Sequence, residues 1–484
     1  MSEEALALHR QGRLAAAERL YDALIGKNHD NFEALHGLGL IKLQRGNPVE
    51  SLRLIRKAVK QNPNSVEAQG NLGNVLVILE RYDEALVHFE TALALRPGFA
   101  ATHNNLGTVL WRLGRQDAAL AHFRTALALA PGYAEAHNNL GLVLKDCNRF
   151  EEAIEHWTKA EAIRPSYGEA HWNEALGRLA LGQYEIGWAK FEWRWLTPVS
   201  GVRPRNFTQP LWRGEPLEGR TILLHAEQGL GDTLQFARFV PLVAARGGRV
   251  VLEVQPPLAP LLARLDGVAE ICRQAAPLPP FAVQCPLMSL PLAFGTRLET
   301  IPVTMPYLPV DPARAAVWQQ RVAALDGLRV GLVWAGAPRP FQPRAHDVDR
   351  RRSITLQHFA PLADVPGVSF ISLQKGAPAA QTRTPPAGMV IHDWTETLRD
   401  FADTAALIAA LDLVISVDTS VVHAAGGLAR PVWLLNRYDS CWRWLVGRTD
   451  SPWYPTLRQF RQPRPGDWAT VMQEVRAALV ARVA

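Results

Sequence analysis

Cysteine is scarce: four in 484 residues, at Cys147, Cys272, Cys285 and Cys441. No two of them form a Cys-x-x-Cys pair, which speaks against a disulfide framework or a structural zinc site and fits a reducing compartment. Long apolar runs are missing as well. The run 405–417 is broken by Asp412, and nothing approaches the roughly 18 apolar residues of a membrane span, so none is expected. The N-terminal stretch MSEEALALHRQGR lacks the basic start and apolar core of a secretory signal. A cytoplasmic protein is therefore the expectation. Excess charge is small too: 52 Lys and Arg against 46 Asp and Glu leave +6. Over this length that marks no nucleic-acid binder. What the chain does have is 48% hydrophobic and 20% charged residues, which excludes a largely disordered polymer. It also carries fifteen tryptophans, and its length admits about three domains.

The first 200 residues repeat. Leu-Gly pairs at Leu38-Gly39, Leu72-Gly73, Leu106-Gly107 and Leu140-Gly141 are each 34 residues apart. Pro63, Pro97, Pro131 and Pro165 keep the same step, as do Ala58, Ala92, Ala126 and Ala160 and the large residues Phe89, Phe123, Trp157 and Phe191. Small residues let two helices approach, aromatics fill the gap, and proline ends the second helix. The pattern is similar to the tetratricopeptide repeat (TPR), two antiparallel helices per repeat. Full repeats are predicted at about 32–65, 66–99, 100–133 and 134–167. A weaker one precedes them (Gly12, Ala17, Tyr21), and a decayed one follows at 168–200, where Ala175, Gly187 and Arg194 replace repeat residues. The aromatic run from Trp188 to Trp195 is expected to dock on the next domain.

Within the repeats, Asn71, Asn105, Asn139 and Asn173 stand two residues before each repeat glycine or its Ala175 substitute. An asparagine row lining a concave face can grip an extended peptide backbone, since each amide offers donor and acceptor. The same row can equally cap or bridge neighbouring helices.

After Pro204 the period vanishes and short apolar segments alternate with helical ones. Strands are expected at Thr221–His225, Arg249–Val254, Val268–Cys272, Phe281–Cys285, Arg329–Trp334, Ser369–Leu373, Met389–His392, Leu413–Val417 and Val432–Leu435. Alternation of this kind predicts parallel βαβ units, and a Pro/Gly cluster at 300–312 divides them into two doubly wound blocks facing a cleft. The expected layout is a repeat array over 1–200, one α/β lobe over 205–310 and a second over 311–484 with a returning C-terminal helix.

Each block has a motif at a strand–helix junction. In the first, Gly229-Leu230-Gly231-Asp232 follows a strand, but Leu234 stands where a dinucleotide fingerprint needs its third glycine. NAD and FAD are rejected. Asp232 then reads either as a helix cap or as a general base taking a proton from an acceptor hydroxyl. In the second block a strand ends at Asp418, and Thr419 and Ser420 open a helix. Its free N–H groups suit a diphosphate. His423 is placed to reach the same ligand or to be a buried core histidine. Arg352, in the run Arg350-Arg351-Arg352, and Gln374-Lys375 after the next strand are candidate contacts for that anion. Asp347-x-Asp349 sits in what reads as a Pro/Arg-rich loop and is discounted as a metal motif; no residue cluster has metal-ligand spacing.

Together the segments GLGDTLQFARFVPLV and SVDTSVVHAAGGLARPVWLL resemble the GT-B glycosyltransferases, specifically the ADP-heptose heptosyltransferase-like family. The resemblance covers nearly all of 205–484. It implies a GT-B fold of two Rossmann-like domains, with Asp232 as catalytic base. It further implies Asp418, Thr419, Ser420 and His423 at the donor diphosphate, and a phosphate-contacting cation near Arg352. The order of solenoid and α/β lobes resembles O-GlcNAc transferase and bacterial TPR–glycosyltransferase fusions. In the former an asparagine ladder holds the substrate's backbone, a role that would fall here to Asn71, Asn105, Asn139 and Asn173. The implied activity is metal-independent, inverting transfer from a nucleotide-sugar to a Ser or Thr hydroxyl of a protein, with no cofactor. Two alternatives remain: an interaction scaffold with a non-catalytic GT-B half, and a lipopolysaccharide or polysaccharide transferase.

Overall fold

The computed structural model describes residues 2–338 and 343–484. The chain divides into two compact units, Met1–Glu174 and Ala175–Ala484. Among the described residues the N-terminal part forms twelve helices: α1 (Ser2–Arg10), α2 (Leu14–Lys27), α3 (Phe32–Gln44), α4 (Pro48–Gln61), α5 (Val66–Ile78), α6 (Tyr82–Leu95), α7 (Ala100–Arg112), α8 (Gln116–Leu129), α9 (Ala134–Asp146), α10 (Phe150–Ile163), α11 (Gly168–Ala180) and α12 (Tyr184–Phe191).

Local chemistry explains their ends. Asn31, Asn47 and Ser65 accept from the backbone N–H three residues on, at 2.8, 3.2 and 3.2 Å, and Pro48 takes the first position of α4. Between the paired helices the chain reverses through one left-handed residue, at positions 12, 46, 80, 114, 148 and 182. Four of these are glycine, which adopts that conformation freely; Glu80 and Asn148 occupy the other two. Inside each pair the repeat glycine faces an aromatic ring. A Cβ added to Gly73, Gly107 or Gly141 would come 2.7, 3.0 and 2.5 Å from Phe89, Phe123 and Trp157. Any side chain there would wedge the helices apart. The three rings are fully buried, as are Ala92, Ala126 and Ala160.

Among its described residues the second unit holds two parallel sheets. The first contains β1 (Thr221–His225), β2 (Arg249–Val254), β3 (Val268–Arg273) and β4 (Val283–Pro286) in the order β3-β2-β1-β4. The second contains β5 (Leu328–Val333), β6 (Val368–Ser372), β7 (Ile391–Asp393), β8 (Leu413–Val417), β9 (Val432–Asn436) and β10 (Leu457–Arg461) in the order β10-β9-β8-β5-β6-β7. Strand order reverses beside β1 and β5, and such a reversal opens a crevice at the carboxyl ends of the strands. Every expected strand is present within a few residues. The unexpected one, β10, is an edge strand of mixed composition (LRQFR) paired in register with β9.

The boundary at Glu174/Ala175 falls inside the decayed repeat. Beyond it, Trp188 packs edge-on against Phe236, Trp442 and Trp453, with ring centroids 6.0, 5.4 and 6.4 Å away. Arg194, standing where the repeats have alanine, is fully buried. Both its Nε and its Nη2 donate to the Glu227 carboxylate at 3.0 Å. The expected docking run is thus part of the α/β body's own core. Among the described residues no helix is long and apolar enough to cross a membrane, and no group of three or more His, Cys, Asp or Glu is placed to hold a metal ion.

Candidate functional site

After β1 the chain turns at Gly229 into a short helix, Leu230–Phe236. Asp232 reaches back from its third position and accepts the Gly229 N–H at 2.9 Å through Oδ2. The other oxygen, Oδ1, forms an ion pair with the guanidinium of Arg443. Arg443 lies in the tight turn Trp442–Trp444 after β9, and its Nη1 also contacts Cys441 Sγ at 3.0 Å. Its Nε has no hydrogen-bond partner among the described residues. Burial, the largest influence, works against the charge, but Asp232, Cys441 and Asp418 together outweigh it and hold the guanidinium above its ordinary range. The turn closes on Leu445 at φ 54, ψ 164, a conformation a leucine holds only when its surroundings force it. Nothing in the sequence motifs singled out Arg443; the only signal was a cation set between two tryptophans.

Facing this helix is another, Ser420–Gly427, which starts directly beyond β8. Thr419 occupies its cap without a side-chain cap bond, its Oγ1 lying 3.2 Å from Ser416 Oγ instead. The helix start keeps its donors unclaimed by a cap. His423 is buried, bonds Tyr454 Oη through Nδ1 at 2.9 Å and stacks on Trp444 at 5.2 Å. Burial, then the nearby charges of Arg443, Arg238 and Arg352, push its pKa well below the ordinary value, so it is neutral. A Cβ on Gly231 would lie 2.7 Å from His423 Cδ2 and 3.5 Å from Ser420 Cα. The second glycine of the Gly-Leu-Gly turn therefore lets two helix starts meet.

Arg352 ends the helix Pro343–Arg352, so the Asp347/Asp349 segment is helical rather than the expected loop. Its Nη1 donates to the Asp418 carbonyl at 2.7 Å and its Nη2 pairs with Asp349; its Nε lacks a partner among the described residues. Gly336, past β5, leaves room for the guanidinium, since a Cβ there would be 2.6 Å from Nη2. Arg352 thus crosses the crevice between β5 and β8. Its neighbours point elsewhere: Arg350 bonds Asp347 at 3.1 Å and Arg351 pairs with Asp439.

Gln374 is a correction. Its Oε1 accepts from Trp334 and Ala335 N–H at 3.0 and 2.8 Å, and its Nε2 donates to the Ala335 and Lys375 carbonyls at 3.0 and 2.9 Å. The amide is saturated by backbone and has nothing left for a ligand. Lys375 spends two of its three N–H bonds on the carbonyls of Thr395 and Leu398, at 2.7 and 3.0 Å. Asp232, Arg352, Asp418, Thr419, Ser420 and His423 are brought together; Gln374 and Lys375 brace loops.

A cavity of about 370 Å³ opens at the carboxyl ends of β1, β2 and β3, lined by Trp195, Arg203, Arg205, His225, Glu253 and Gln274. Burial holds His225 at a pKa of about 4, so it is neutral. With its Nε2 hydrogen bonded to Gln284 Oε1 at 3.0 Å, Nδ1 is left as an acceptor with no partner among the described residues.

In the array, the asparagine row bonds along itself. Asn71 Nδ2 meets His36 Nε2 at 2.9 Å, Asn105 donates to Asn74 at 2.8 Å, Asn139 to Asn104 at 3.0 Å and Asn173 to Asn138 at 2.8 Å. Each amide nitrogen gives one hydrogen bond to the preceding repeat, which favours the bridging alternative for the donor side of the row. A second row keeps the same 34-residue step. Gln69, His103, His137 and His171 each donate to a proline carbonyl six residues earlier, at 2.8, 2.9, 3.1 and 2.9 Å. His103 and His137 then meet His122 and His156, Nδ1 to Nδ1 at 2.9 Å in both pairs.

Comparison with known proteins agrees with this periodicity. Two tetratricopeptide repeat family profiles match, one at residues 64–131 and the other at 2–66 and 104–168. The N-terminal helices are a TPR solenoid. Over 328 residues the chain is 30% identical to "Protein FlbA" of Caulobacter vibrioides, a match covering 62% of this chain. The chain spans about half, 53%, of that relative's length. Solved structures similar to the array include YrrB, titled a TPR protein with an unusual peptide-binding site, at 26% identity. That match covers 34% of this chain and 86% of that one, with a TM-score of 0.31. A thermophilic TPR protein of Thermus thermophilus, TTC0263, matches at 25% identity, covering 37% and 96%, with a TM-score of 0.32.

Proposed function

We propose that the second unit is a GT-B glycosyltransferase, its lobes at 205–310 and 311–484, acting on protein hydroxyls presented through the TPR array. One observation carries this reading. A carboxylate on one lobe and, on the other, two arginines and an uncapped helix start meet at the carboxyl ends of strands. That is the equipment for removing a proton on one side and stabilising a departing anion on the other.

The donor's diphosphate would lie on the N–H groups and hydroxyls at Thr419 and Ser420, its charge met by Arg352 and Arg443. The unfilled Nε donors of both arginines fit such an anion. Asp418 is tolerable there because cations flank it. Asp232 would take the proton of an acceptor hydroxyl as its oxygen bonds to the anomeric carbon. The bond to the diphosphate breaks on the opposite face, so configuration inverts once and the nucleoside diphosphate carries away the charge. No metal or cofactor is needed in this scheme. The acceptor's polar groups find a cavity with a neutral histidine acceptor and an arginine–glutamate pair.

A second reading, an interaction scaffold that binds a nucleotide without turnover, is favoured by one feature: both oxygens of Asp232 are engaged. Incubation with a panel of ADP-, GDP-, UDP- and CMP-sugars, followed by intact-mass analysis of co-expressed proteins, separates the readings. Mass gain on a protein, reduced about 10²–10⁴-fold by Asp232→Asn, is the expected result. Sugar appearing only on a lipid or polysaccharide would move the acceptor class, and binding without hydrolysis or transfer would leave the scaffold.

A further inference from the structure

We infer that Arg443 is a shared counter-ion, held by Asp232 when the site is empty and taken over by the donor's diphosphate. The base is thereby freed only once the donor is in place. This rests on the donor reading above and adds an order of events to it.

Three features carry the inference. First, Asp232 has no idle oxygen: Oδ2 holds the Gly229 N–H and Oδ1 holds Arg443. A carboxylate oxygen held by a guanidinium cannot meet an acceptor hydroxyl until that pair opens. Second, the guanidinium is paired with one anion and still has a donor to give. It pairs with Asp232, also feels Asp418, whose own carbonyl takes Arg352, and keeps Nε unfilled. Third, its anchorage separates backbone from head group. Trp442 and Trp444 on either side are buried, the latter stacked on His423, while Arg443 lies over the Trp442 ring at 4.3 Å. The turn is fixed, and only the side chain need swing. A diphosphate at Thr419–Ser420 brings more negative charge than one carboxylate, so the exchange runs toward the donor.

The consequence is negative coupling: Asp232 and the anion compete for one cation. Isothermal titration calorimetry of the full chain with inorganic pyrophosphate and with ADP, GDP, UDP and CDP tests it. The proteins compared are the wild type, Asp232→Asn, Arg443→Gln and the double variant. Asp232→Asn should bind the anion more tightly, by about 5- to 150-fold, the usual span of coupling between sites. In the Arg443→Gln background the same substitution should give no more than a small gain. Equal or weaker binding by Asp232→Asn overturns the inference. So does tightening that persists without Arg443, which would be mere removal of a negative charge. If pyrophosphate and all four nucleotides fail to bind any of the four proteins, the donor reading itself falls. Asparagine keeps the shape of aspartate, and unchanged circular dichroism excludes misfolding as the source of a loss.

Discussion

In the TPR array a polar side chain finds its partner one repeat away, and the partner is often of its own kind. Asn139 bonds Asn104 and Asn173 bonds Asn138, each 35 residues apart. In the α/β body partners are unlike and remote: Arg352 and Asp418 are 66 residues apart, Arg443 and Asp232 are 211. The array makes one contact set many times, so an error in one repeat is local and the sequence advertises the rule. The body makes each contact once, and the groups it collects from distant segments are the ones able to do chemistry.

The comparison breaks most visibly if a repeat core is emptied. Trp157, fully buried over Gly141, should cost about 3–5 kcal/mol when cut to alanine. Hydrogen exchange should show α9 and α10 opening first; uniform loss across α1–α10 would mean the array is not locally stabilised.

Acid should act on both regions through different histidines. His156, lowered by burial and then by His137, and His225, lowered by burial, both have folded pKa values of about 4. Unfolded, each titrates near 6.5. The unfolded chain therefore binds more protons between these values, so stability is complete above about 6.5 and is lost as pH falls toward 4. For the nearly inaccessible His225 this amounts to about 2–3 kcal/mol. Urea midpoints at pH 7, 5.5 and 4 should fall in step, and His225→Gln should flatten the response. An unchanged slope in that variant would show that His225 is not its source.

A smaller effect tests the bridging asparagines. Asn139→Ala should cost about 0.5–1.5 kcal/mol by removing one inter-repeat hydrogen bond. A neutral result would leave the row free for ligands alone. Smallest, and of opposite sign, is Glu80→Gly. Glu80 is left-handed where four sister positions carry glycine. Relief of that strain exceeds glycine's extra unfolded-state entropy by about 0.5 kcal/mol. Asn148→Gly should change thermal midpoints less, because asparagine tolerates the conformation.

Legibility followed the same division. The 34-residue period placed every helix pair of the array, and β1, β2 and β8 could be read end to end because each is an apolar run between turns. The edge strand β10 was not readable: its Arg and Gln residues carry no apolar signal until β9 lies beside them. At the candidate site, Asp232, Thr419, Ser420 and His423 were visible because each sits at a strand–helix junction, where motif and position coincide. Gln374 was misread for the same reason. Its position at a strand end suggested a ligand contact, while its amide is consumed by the Trp334–Ala335 turn. Arg443 was missed, since no spacing rule links residues so far apart.

The scarcity of cysteine, of long apolar runs and of excess charge, together with the 34-residue period, determined from sequence alone that a helical repeat array precedes an α/β body. Periodicity and strand patterning are local properties, and local forces suffice to express them. That Asp232 is locked to Arg443, that Gly231 joins two helix starts and that Arg352 crosses the β5–β8 crevice were decided only by tertiary structure. Each depends on two remote segments arriving at one point. Desolvation there makes their charges answer to one another rather than to water.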